Sequence, residues 1–263
     1  MLQKSKSLIL LLSLIAFVLL FSGFRFLRGE LSLHASLSGM AEKWPQVRLL
    51  RNPELEDFAP KEWKNSYMDI NATEISDVNL TKLLPVLMLE LDKYPPSLLN
   101  KNLEAVVVVE SFSLSGVNQL SANVGKRIYL TRAALSNPLE GYAAVHRELT
   151  GVLLRHHDFP LMKWGRHMPD YRETVSISSF LQMEINEESK ESCDPGKSID
   201  EQLQHAGLDR LQLESEIGLM SSRLFSEPKV LKSQARENEQ VSAKLDLLTG
   251  FYNKLEPGYA WQF

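Results

Sequence analysis

The sequence predicts an α+β domain, with a small β-sheet packed on a mainly helical body and one apolar N-terminal helix in front of it. Three observations carry this prediction. Glu104–Glu110 (EAVVVVE) and Lys126–Thr131 (KRIYLT) read as strands. Helically spaced apolar residues flank them on both sides. Residues 7–24 form an 18-residue run without a charge, bounded by Lys6 and Arg25. An order of helix, strand, loop, strand and then several helices suits a sheet laid against a helical layer.

The apolar run, SLILLLSLIAFVLLFSGF, is leucine-rich on every face, so a membrane-spanning helix is expected rather than a buried core helix. As a helix it measures about 27 Å, close to the thickness of a bilayer core. The exit FSGFRFLRG is a poor cleavage site because Phe and Arg crowd its small residues, so a retained anchor is expected. Lys4 and Lys6 favour the N-terminus inside, against the weaker pull of Arg25 and Arg28 beyond the run. The body is therefore expected outside the cytoplasm, periplasmic or extracellular, or secreted if the segment is cut. The organisation read from the sequence is an anchor over 1–30, a linker and lead-in over 31–78, and an α+β domain over 79–263.

Within the lead-in a short helix is expected from residue 31, with His34 on the surface and breaks at Pro45 and Pro53. Residues 79–94 (NLTKLLPVLMLELDKY) carry a broad apolar face and predict a helix, with Pro85 near its first turn. Pro95 and Pro96 stop it, and Ser97 is placed to cap a short helix over Leu98 and Leu99. Four consecutive valines predict a strand buried on both faces. Residues 111–125 read as a loop rich in Ser, Asn and Gly. The KRIYLT strand is expected at a sheet edge. Asn137 and Pro138 open a helix as cap and first residue, and it runs to about His157. Residues 158–206 read as a long excursion with an acidic run, 209–225 as a helix, and 229–255 as one further helix. Tyr259, Trp261 and Phe263 form an aromatic tail expected to dock on the core.

The chain has 263 residues, 44% hydrophobic and 24% charged, which excludes a disordered chain or a rod. Cys193 is the single cysteine, so no intramolecular disulfide or cysteine-rich zinc module exists. Residues 1–30 carry a net charge of +3. The remainder holds 25 basic and 32 acidic residues, a net of −7. An acidic body argues against nucleic acid as a partner, because phosphate tracking needs Lys and Arg.

The block AAVHRELTGVLLRHHDF holds the candidate chemistry. A zinc-protease helix of the form H-E-x-x-H sets two imidazoles one turn apart on one metal, and its Glu polarises the bound water. Glu148 could be that Glu. Arg147 precedes it and Gly151 stands three residues on, so non-ligands fill both ligand slots. His146 lies about 200° around the helix from Glu148, and His156 and His157 lie two turns or more beyond it. His156 and His157 also suit the negative end of the helix dipole.

On four blocks, residues from about Tyr94 to Tyr259 resemble the zinc-binding metallopeptidase-like proteins of bacteria, related in design to the lethal-factor type of zincin. The blocks are KYPPSLLNKNLEAVVVVESF, SGVNQLSANVGKRIYLTRA, GYAAVHRELTGVLLRHH, and LESEIGLMSSRLF followed by LLTGFYNKLEPGY. The resemblance implies a zincin-like body with Glu148 as general base. It implies Glu214 as the acidic metal ligand of the late helix, with Glu216 as fallback, and matches His146 to the first His of an H-H-E form. Arg147 departs from the family pattern, standing where a ligand His is expected. It delivers a fixed positive charge where zinc would sit, and could pair with Glu148 or Glu214.

The expected function is therefore a non-catalytic envelope protein, tethered through residues 7–24, that binds a peptide or protein partner by strand addition. No cofactor is expected. The alternatives are a zinc metallopeptidase with an unusual ligand set, drawing on His156 or His167 from outside the helix, and a structural interaction protein.

Overall fold

The computed structural model describes residues 33–54, 56–63, 69–136, 138–168, 198–205, 208–261 and 263. The apolar run 7–24, Asn137, Cys193 and the acidic run after Tyr171 lie outside the described residues. No described helix is long and apolar enough to cross a membrane.

The α+β expectation holds. Among the described residues six strands form one mixed sheet: β1 (Arg48–Leu50), β2 (Ile70–Glu74), β3 (Ala105–Leu114), β4 (Val117–Gln119), β5 (Ser121–Val124) and β6 (Arg127–Thr131). The spine order is β1-β3-β6-β5, and β2 and β4 both pair with β3. β1 and β6 run parallel to β3, whereas β5 is antiparallel to β6 and ends the sheet. The helices are α1 (33–43), α2 (Asp77–Leu91), α3 (Pro96–Asn102), α4 (Arg132–Ser136), α5 (Pro138–His156), α6 (Leu161–Gly165), α7 (Ile199–His205), α8 (Arg210–Ser226), α9 (Pro228–Glu237) and α10 (Glu239–Leu255).

The valine run explains the layering. Alternate side chains of a strand face opposite sides. Val106 and Val108 join Ile128 and Leu130 in the large core under the helices, with Val145, Leu149, Val152 and Ile217. Ala105, Val107 and Val109 face a second cluster with Leu50, Phe58, Trp63, Phe112 and Tyr129. The Trp63 and Tyr129 rings lie 4.6 Å apart there. Both faces are covered, as four apolar residues in a row require.

The structure corrects five expectations. KRIYLT is not an edge strand: β6 lies between β3 and β5, and the edge on that side is β5. The stretch read as a loop contains three strand segments, because β3 runs on to Leu114 and two tight turns follow. Gly125, at φ 53, opens the turn between β5 and β6. Pro85 lies mid-helix rather than in a first turn, because α2 begins earlier, at Asp77, with Ser76 capping through Asn79 N at 3.3 Å. Ser97 is not a cap; its hydroxyl donates to Glu256 Oε1 at 2.7 Å. The expected single helix over 229–255 is two, α9 and α10, split where Asn238 turns extended and caps Val241. The lead-in stretch also supplies β1 and β2.

Other expectations hold. His34 is exposed. The helix expected from Pro138 to about His157 is α5. The aromatic tail packs home, with Trp261 and Phe263 against the large core.

Candidate functional site

The candidate site is built on α5, which lies under the sheet and packs along α8. Consecutive residues of a helix point about 100° apart, so His146, Arg147 and Glu148 serve different surroundings.

Glu148 points up to the sheet edge and is 5% exposed. Ser121 Oγ donates to its Oε1 at 2.6 Å, and Asn123 Nδ2 donates to its Oε2. Arg147 Nε donates to Oε1 at 3.0 Å, and another nitrogen of the same guanidinium donates to Ser121 Oγ. Ser121 and Asn123 are alternate residues of β5 and so share the face toward α5. Gly151 makes the close approach possible: a Cβ there would stand 2.6 Å from Asn123 Nδ2. Gly218 of α8 does the same for Arg147, whose Cγ would lie 2.9 Å from a Cβ at that position. Of the two partners foreseen for Arg147, the structure selects Glu148.

His146 points the other way, into the core, and is fully buried. Its Nε2 lies 2.6 Å from Glu90 Oε2, and its Nδ1 lies 2.8 Å from the Tyr94 hydroxyl. The Phe225 ring stacks on the imidazole at 4.5 Å. Lys93 Nζ donates to Glu90 Oε2 at 2.5 Å. Burial lowers the His146 pKa, against the pull of Glu90. Burial also pushes the Glu90 pKa up, but hydrogen bonds and charge from His146 and Lys93 outweigh it and hold the carboxyl below its ordinary value. The Tyr94 pKa is raised well above ordinary by burial, then by Tyr252 and Glu90. A neutral imidazole that donates from Nε2 to Glu90 and accepts at Nδ1 from Tyr94 satisfies all three groups. Below it, Thr150, Ser221 and Tyr252 close a ring of hydroxyls at 2.7–2.9 Å.

The remaining candidates lie elsewhere. Glu214 pairs with Arg210 Nε at 2.8 Å, one turn back on α8. Glu216 accepts from Lys244 Nζ at 2.7 Å and from Trp164 Nε1 at 2.8 Å. His157 Nε2 lies 2.8 Å from Asn102 Oδ1, and His156 is exposed. His167 follows α6, and His205 ends α7.

The structure thus brings Arg147 and Glu148 together, and separates His146 and Glu214 from them. Among the described residues no three His, Cys, Asp or Glu side chains converge as a metal site. The partners of Glu148 are a hydroxyl, an amide and a guanidinium, a donor set that does not fit zinc.

Sequence reasoning missed Ser121 and Asn123, although S-A-N-V-G-K-R-I-Y-L is a strand, a two-residue turn and a strand. It also missed Glu90, Lys93 and Tyr94, and no local pattern could link them to a histidine 52 or more residues away. No protein-family model, curated protein or solved structure matches the chain.

Proposed function

We propose that this protein is a membrane-anchored, extracytoplasmic domain of zincin-like build that binds rather than cleaves. Its partner is an extended peptide or protein segment added to the outer edge of β5, which has no strand neighbour among the described residues. The observation that carries this reading is the state of Glu148. A general base needs a lone pair facing substrate, and both oxygens of this carboxylate are committed to Ser121, Asn123 and Arg147. The same contacts brace the strand that ends the sheet. A braced edge with outward N–H and C=O groups can accept another strand.

Support for the zincin-like build is topological: an antiparallel edge strand lies over the helix that carries the Glu. Support for the anchor is the uncharged run over residues 7–24.

The test uses the full chain in detergent micelles. Peptides selected from a random-sequence display library are measured against the wild type, Asn123→Ala and Asn123→Pro. Proline removes an edge N–H that alanine keeps. Binding should survive in Asn123→Ala and weaken by about tenfold or more in Asn123→Pro. Cleavage of the peptides on adding zinc would replace this reading with the metallopeptidase one.

A further inference from the structure

Resting on the strand-addition reading, we propose that the added segment carries acidic side chains at alternate positions, an acidic–apolar–acidic triplet read by Arg147 and Arg155 of α5.

The register of β5 leads to this pattern. Val124 pairs with Arg127 across the two-residue turn Gly125–Lys126, and Ala122 pairs with Tyr129. In an antiparallel ladder, closing a two-residue turn makes Val124 a hydrogen-bonded residue, and bonding then alternates. Ala122 and Val124 therefore bond to β6, while Ser121 and Asn123 turn their N–H and C=O groups outward. The Asn123 carbonyl is consistent with this, accepting from the Arg155 guanidinium at 3.2 and 3.4 Å.

A segment laid along that edge places two alternate residues opposite Ser121 and Asn123, with their side chains on the α5 face. On that face α5 presents Arg147, Gly151 and Arg155, spaced one turn apart. Arg147 reaches Ser121, Gly151 lies under Asn123, and Arg155 reaches the Asn123 carbonyl. Arg147 uses Nε and Nη2 on Glu148 and Ser121. Its Nη1 has no partner among the described residues, and its side chain is 34% exposed.

The surroundings add positive charge. Lys126 sits in the β5–β6 turn and donates to the Lys101 carbonyl. The His157 pKa is lowered by burial first, then by Lys101, His156 and Lys126, with Asp158 opposing. Lys126, Arg147 and Arg155 thus set three cations along this edge against the Glu148 carboxylate, although the chain beyond residue 30 carries a net of −7. On the other face, Ala122 and Val124 pack with the second apolar cluster. The middle residue of the triplet would face that side and suits an apolar side chain.

The test compares fluorescent peptides bearing Asp-Val-Asp, the inverted Val-Asp-Val, or Lys-Val-Lys in a neutral frame. Anisotropy is read on the full chain in micelles at low and at physiological ionic strength. Asp-Val-Asp should bind about tenfold tighter than either control. Its advantage should shrink with salt, and most of it should vanish in Arg155→Gln while the protein stays folded. Equal binding of all three peptides, still abolished by Asn123→Pro, would overturn the acidic triplet and leave strand addition standing. An acidic preference that ignores both register and Asn123→Pro would mark a plain charged patch and overturn the triplet. Binding by no peptide at all would remove the strand-addition reading beneath it.

Discussion

His146 and Glu148 stand two residues apart on one helix, yet they anchor two unlike polar clusters. The His146 cluster is walled in: His146 and Glu90 are at most 1% exposed, and Tyr94, Phe225 and Tyr252 pack around them. The Glu148 cluster is half-open, because Arg147 reaches solvent and β5 has no outer neighbour among the described residues. Both centre on a carboxylate with a cation beside it. What differs is the cost of disturbing them. An interior charge cannot fall back on water, whereas an edge charge can. The inner cluster therefore specifies the packing of α2, α5 and α8, and the outer one is free to serve recognition.

The largest expected effect comes from breaking the inner cluster. His146→Ala leaves Glu90 with Lys93 alone, takes the acceptor from Tyr94 and opens a void against Phe225. Urea denaturation should show a loss of about 3–5 kcal/mol. A loss below about 1 kcal/mol would mean that water enters the cluster and that the two sites are not so different.

Next comes Arg147→Ala. Ser121 and Asn123 still donate to Glu148, and the lost guanidinium is partly exposed, so about 1–2 kcal/mol is expected by the same measurement. Unchanged stability would show that the guanidinium plays no part in bracing the edge. Gly151→Ala sharpens the point from the other side, because its Cβ would push Asn123 off Glu148.

The smallest effect is the shape of the acid limb. The His146 pKa lies below 6.5 in the folded state, so the unfolded chain takes up its proton first as pH falls. That contribution is complete above pH 6.5 and is lost as pH drops through the folded pKa. The Glu90 pKa lies below 4.5, so its contribution is present above that value and is lost lower still. Stability should fall in two stages, and His146→Gln should erase the first.

Much of the layering was legible locally. Four valines in a row required a strand covered on both faces, and the spacing after Pro138 required the long helix. The 200° separation of His146 from Glu148 followed from helical geometry, and they do serve different sides. The edge was misread because β5 is short and polar. Ser121 and Asn123 look like loop residues until their partner, a carboxylate on another element, is known.

The sequence by itself determined the α+β class, the faces of α5 and the presence of a fixed cation beside Glu148, because periodicity and side-chain chemistry are properties of the chain. Only the tertiary structure decided which strand is the edge, that Arg147 chooses Glu148 over Glu214, and that Glu90 and Tyr94 enclose His146. The contacts that enclose His146 join residues 52 and 56 positions apart, those that hold Glu148 to β5 join residues 25 and 27 apart, and burial, which no short window encodes, sets their strength.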